Sequence, residues 1–120
     1  MEVRGSRFVL EDSSGKEWIV MELDRGQPSV KLFGSNGQPQ IVLSVDEGKR
    51  PRISLASPSG NPVMHLEVEE SCHPVGSAVV TLLGDYPGEG RKEIRLTNCG
   101  LNSLPGVTLE VHGAVIAKLP

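Results

Sequence analysis

Apolar residues recur at alternate positions along this chain in short runs, and the runs themselves recur. Phe8-Val9-Leu10, Val30-Lys31-Leu32, Ile53-Ser54-Leu55, Val80-Thr81-Leu82 and Val107-Thr108-Leu109 each open with apolar-x-apolar, their first residues spaced by 22, 23, 27 and 27. In the first three copies a glycine follows the opening residue by seven positions, as Gly15, Gly37 and Gly60. Four, six and eight residues beyond each glycine stand Ile19, Met21 and Leu23, then Ile41, Leu43 and Val45, then Met64, Leu66 and Val68. Strict period-two spacing marks a strand with one apolar face, so each copy predicts a β-hairpin.

The residues between the strands support the same reading. Asp12-Ser13-Ser14-Gly15, Gly34-Ser35-Asn36-Gly37 and Ser57-Pro58-Ser59-Gly60 suit a type I turn followed by a left-handed glycine in a bulge. Pro28, Pro51 and Pro105 stand two residues before an opening apolar residue, where a strand needs no ladder N–H. The fourth copy has a longer turn, through Asp85, Tyr86, Pro87, Gly88, Glu89 and Gly90. The fifth departs from the pattern after Val111, at His112-Gly113 and Ala114 to Leu119, as a terminal copy or a decayed one would.

The chain is thus expected to be a single all-β domain, 1–120, of about five tandem antiparallel hairpins near 6–23, 28–45, 51–68, 78–98 and 105–119. Polar linkers at Asp24 to Gln27, Asp46 to Arg50, Glu69 to Ser77 and Asn98 to Gly106 join them. An isolated hairpin is marginal in water, so the hairpins are expected to share one aliphatic core. That core can close within the chain as a sandwich, or between chains in an oligomeric, fibre-like assembly, and the sequence is compatible with both.

The pattern Pro-x-apolar-x-apolar, turn, Gly, apolar-x-apolar-x-apolar resembles the tandem β-hairpin repeat arrays of uncharacterised bacterial proteins, and more loosely the triple β-spirals of viral fibres. It spans Phe8 to Leu119, with longer repeats than fibre shafts have and with expanded third and fourth linkers. The resemblance implies a structural or attachment role and no catalytic residues.

Composition narrows the function classes. Fourteen Gly and nine Pro among 120 residues favour frequent turns over long helices. Only four aromatics, Phe8, Trp18, Phe33 and Tyr86, argue against an aromatic-lined cleft. A net charge of −3, with Lys and Arg scattered, gives no basis for nucleic-acid binding. No apolar run approaches the roughly 18 residues of a membrane span and the first residues lack an apolar leader, so neither membrane insertion nor a signal peptide is expected. The compartment is left open.

No nucleophile elbow, phosphate loop or His-Glu-x-x-His occurs, and no catalytic residue, cofactor or metal is expected. Adjacent Cys72 and His73, with Cys99 and His112 far along the chain, lack the short ligand spacing of a zinc site. Cys72 and Cys99 are 27 residues apart, the same offset as the third, fourth and fifth strand openings, so stacked repeats would bring them within reach of a disulfide. Two free thiols in a reducing compartment fit the count equally well. His65 falls on the outer face, as do Glu67 and Glu69; these glutamates, with Glu70, read as a solvated strand end. Asp85 and Tyr86, in the longest turn, are candidates for a loop contact.

The outer face is apolar in the first two copies, where it carries Val9, Trp18, Val20, Phe33 and Val42. Those five form the candidate interface, to be covered by another layer of this chain, a second copy, or another protein. The reading that follows is a non-enzymatic structural or adhesive β-repeat module that self-associates. The alternative is a compact β-sandwich that binds a ligand or glycan through its loops, with Trp18 and Tyr86 as platforms.

Overall fold

A computed structural model of the chain describes residues 1–46, 50–69, 77–86, 90–99, 105–111 and 114–119, and among these residues there are strands and turns but no helix. The chain divides into two compact units, Met1–Asn61 and Pro62–Pro120. The first holds β1 (Arg7–Glu11), β2 (Glu17–Asp24), β3 (Gln27–Phe33), β4 (Pro39–Val45) and β5 (Pro51–Ala56). Each pairs antiparallel with the next. The second holds β6 (Pro62–Glu69), β7 (Ser77–Tyr86), β8 (Gly90–Cys99), β9 (Pro105–Val111) and β10 (Ala114–Leu119), again paired antiparallel in chain order. Pro39, Pro51, Pro62 and Pro105 are each the first residue of a strand, where their missing N–H costs no ladder bond.

The three short turns of the sequence reading have one geometry. Gly15 N–H donates to Asp12 O at 2.9 Å, Gly37 N–H to Gly34 O at 3.0 Å and Gly60 N–H to Ser57 O at 2.8 Å. A second bond closes each loop, from Asp12 N–H to Lys16 O, Gly34 N–H to Gln38 O and Ser57 N–H to Asn61 O. The glycines sit at φ +82°, +77° and +87°, the left-handed conformation that glycine adopts without a Cβ penalty. This is the type I turn with a glycine bulge that the spacing predicted.

The first linker, Asp24 to Gln27, is tighter than expected. Asp24 and Gln27 are opposed across a two-residue turn in which Arg25 (φ 50°) and Gly26 (φ 81°) are both left-handed. That is the hairpin turn whose twist matches the flanking strands. Asp46 N–H donates to Arg50 O at 3.1 Å, and the Asp46 carboxylate accepts from the Arg50 backbone and guanidinium. The Arg25-Gly26 turn thus makes the first linker part of the ladder.

Register then stacks the aliphatic residues in rows. Phe8, Met21, Val30, Leu43 and Ile53 oppose one another across β1 to β5, and so do Leu10, Ile19, Leu32, Ile41 and Leu55. In the second unit the rows are Met64, Leu82, Ile94 and Val111, then Leu66, Val80, Leu96 and Leu109. The expected aliphatic face exists in both units.

Among the described residues it is only partly covered within the single chain. Among the described residues the buried apolar side chains are Val20 and Val79, both on the opposite face, joined there by Thr81 and Thr97. Val20 is opposed by Lys31 and flanked along β2 by Trp18 and Glu22, long side chains able to lie over a short one.

One further placement differs from expectation. Asp85 and Tyr86 are the last residues of β7, opposed by Arg91 and Gly90, because the fourth hairpin extends its arms rather than its turn. The fifth copy forms a hairpin with a bulge between Val115 and Ala117.

Candidate interaction surface

The two faces of the Met1–Asn61 unit carry different chemistry. On one, the regular part of the ladder holds only apolar side chains. On the other stand Val9, Val20, Lys31, Val42 and Ser54 in one row, and Arg7, Glu22, Ser29, Ser44 and Arg52 in the next. The charges on this mixed face are paired: Glu22 lies 3.8 Å from Arg7 and also accepts from Lys31 Nζ. The Lys31 ammonium, through its hydrogen bond and its charge, holds the Glu22 carboxyl below the usual range. A hydrogen bond from Arg7 to Glu17, 2.7 Å long, raises the arginine's already high pKa.

The sequence candidates Val9, Trp18, Val20, Phe33 and Val42 all lie on this mixed face. Val20 is buried and the other four are half-buried. Trp18 is tied to its own hairpin turn: its Nε1–H donates to Asp12 Oδ2 at 3.0 Å, and the Lys16 ammonium sits 4.2 Å from its ring centroid. Asp12 Oδ1 accepts from the Ser14 hydroxyl and from the Ser14 and Lys16 backbone N–H groups. The bond from the Ser14 side chain, then that from Trp18, hold the Asp12 carboxyl far below the usual carboxylate range.

Successive turns also touch one another. Lys16 Nζ donates to Ser35 O in the second turn, and Asn36 Nδ2 donates to Pro58 O in the third. Equivalent turns thus line one edge of the unit, linked by side chain to backbone.

Among the described residues the aliphatic rows are partly open in both units, with Phe8, Ile19, Val30, Leu32, Ile41, Leu55, Met64 and Val80 half-buried. Leu10 is 59% exposed, Met21 46%, Leu43 41% and Leu82 40%, and Leu23, Ile53, Leu66, Val68, Ile94 and Leu96 are exposed to a similar degree. Period-two reading found these residues, but only the structure shows them open. No protein-family model, curated protein or solved structure matches this chain.

The remaining candidates are placed as follows. His65 opposes Thr81 and Glu67 opposes Val79, both half-buried where a solvated strand had been expected. Glu69 opposes Ser77, and Glu70 lies outside the described residues. Cys99 ends β8 opposite Pro105, while Cys72, His73 and His112 lie outside the described residues, and with them the proposed disulfide. Among the described residues no three His, Cys, Asp or Glu gather where they could hold a metal ion. Val79, Thr81 and Thr97 were missed as buried positions. The adjacent pair Val79-Val80, apolar on both faces of β7, was the available signal.

Proposed function

We infer that the chain is a non-enzymatic structural or adhesive module of tandem β-hairpins that works by self-association. The observation that carries this is the partly open aliphatic rows, with Leu10, Met21 and Leu43 open to solvent on a face without charge in its regular part. Soluble chains rarely leave a contiguous apolar patch of more than a few hundred Å² bare unless it serves an interaction. Repetition favours assembly: equivalent turns and equivalent rows give many copies of one contact. The alternative of a loop-borne glycan site would rest on Trp18, whose ring is half-buried and held beside the Lys16 ammonium. Light scattering across a concentration series tests the reading. A mass above 12.9 kDa that falls on dilution is the expected result. A single-chain mass throughout rejects it.

A further inference from the structure

Asn36 and Gly37 are the one Asn-Gly pair in the chain; the other asparagines precede Pro62, Cys99 and Ser103. The pair is chemically distinctive. An asparagine side-chain amide is open to attack by the backbone nitrogen of the next residue, and glycine, lacking a Cβ, hinders that attack least. Proline has no N–H to give up, and cysteine and serine each carry a Cβ. Asn36 and Gly37 lie exposed in the turn between β3 and β4. The equivalent positions of the first and third turns are Ser14 and Ser59, which have no amide to convert.

Three hydrogen bonds restrain the pair. Asn36 Oδ1 accepts from Gln38 N–H at 3.1 Å, and Asn36 Nδ2 donates to Pro58 O of the third turn. Gly37 N–H, which carries the attacking nitrogen, donates to Gly34 O at 3.0 Å. Ring closure takes the proton from Gly37 N and turns the amide carbon toward that nitrogen, so all three bonds oppose it.

We propose that Asn36 is a site of spontaneous modification, conversion to aspartate and isoaspartate, which its contact with the third turn restrains and which severs that contact once it occurs. Gly37 N bonds to Asn36 Cγ as the bond from Cγ to Nδ2 breaks. The amide nitrogen leaves as ammonia, taking up the proton that Gly37 N releases to solvent. Water then adds to either carbonyl of the cyclic imide and reopens it, its hydroxyl staying on that carbon and its proton returning to nitrogen. Nothing is oxidised or reduced, and loss of ammonia makes the change one-way. The product holds a carboxylate where Nδ2 donated, and two acceptors, the carboxylate and Pro58 O, then face each other. In the isoaspartate form the backbone also lengthens by one carbon inside a turn that sets the register of β3 and β4. This inference is independent of the self-association reading.

The test incubates the full chain at mildly alkaline pH, in buffer and in urea, and follows the peptide carrying Asn36 by mass spectrometry. Conversion is expected to be at least about 10-fold slower in buffer, because local opening must precede ring closure. Equal rates overturn the restraint, and an unconverted Asn36 in both overturns the site. Gly60→Val sets a β-branched residue at φ +87°, its Cβ 3.1 Å from Gln38 Oε1, and so strains the third turn where it meets the second. Faster conversion is expected in that variant in buffer, and a folded Gly60→Val with the wild-type rate removes the third turn from the restraint. Asn36→Asp resembles the product and covers the case in which Gly60→Val does not fold. Its Gly60 amide hydrogen is expected to exchange about 3- to 10-fold faster than in the wild type, from the loss of one bond to the third turn. Unchanged exchange there overturns the claim that conversion severs the contact.

Discussion

Val20 is 2% exposed and Met21, the next residue of β2, is 46% exposed. Adjacent strand residues point to opposite faces, so this one step along the backbone crosses from the covered side of the sheet to the bare one. The valine is the smaller residue, yet in the single chain it is withdrawn from water almost entirely, while about half of the methionine stays in contact with it.

Truncation of each residue separates the two sides. At concentrations where the chain is monomeric, Val20→Ala is expected to cost about 1–3 kcal/mol, from two lost methyl groups and the small cavity left behind. Met21→Ala should cost well under half as much there, since its side chain is already half in water. Denaturant unfolding at low concentration measures both. Equal losses would mean that Met21 is covered within the chain.

The turn glycines give a second prediction. A Cβ on Gly37 would meet nothing within 4 Å, so any cost of replacement comes from its φ of +77° and not from crowding. Gly37→Val is expected to lose about 1–3 kcal/mol, the cost of holding a non-glycine residue left-handed, with a β-branched one toward the upper end. Gly37→Asn should lose less, because asparagine tolerates that region. Thermal unfolding of the pair checks this, and equal stability of the two variants would remove the backbone explanation.

These two cases also mark how far the sequence could be read. Strand positions, turn type and the aliphatic face were legible because each depends on local rules: period two, a glycine at a fixed offset, proline at a strand start. The tightness of the Arg25-Gly26 turn was less so, since a left-handed arginine is unusual and only the adjacent glycine hints at it. The longer arms of β7 and β8 were hidden by Asp85, a residue typical of turns, which here lies in a ladder opposite Arg91. Which face is buried was not legible at all. Hydrophobicity ranks Leu43 above Val20 in demand for cover, but cover depends on which neighbours the register sets beside a residue and on whether a second layer exists. Neither is a property of the residue itself.

The first turn should show a distinctive response to acid. Bonds from the Ser14 side chain and the Trp18 indole favour the ionised form of Asp12, and its folded pKa lies below the ordinary value. The stabilisation is therefore complete above the unfolded carboxylate pKa of about 4, and is lost as pH falls through the depressed folded value. The Trp18 indole N–H resonance is expected to stay unchanged through the range in which ordinary carboxylates titrate, and to shift only at lower pH. Asp12→Asn removes the charge and should abolish that low-pH step. An indole transition at about pH 4 would show that Asp12 is not held by these bonds.

Trp18 also reports on assembly from the side opposite the aliphatic rows. It lies on the face opposite Met21 and Leu43, fixed by Asp12 Oδ2 at 3.0 Å and by the Lys16 ammonium. If the aliphatic rows are what a second copy covers, dilution through dissociation changes nothing around the indole. Its emission maximum and its quenching by a neutral solute are expected to stay constant while the mass falls to that of one chain. Lys16→Met at constant mass should instead alter the quenching, because it removes the ammonium beside the ring. A shift of Trp18 emission to longer wavelength that tracks dissociation would place the indole in the contact and favour the mixed face, with Val9, Phe33 and Val42, as the mating surface. The dilution series uses the unmutated chain, and so its reading of the two faces does not depend on how any variant folds.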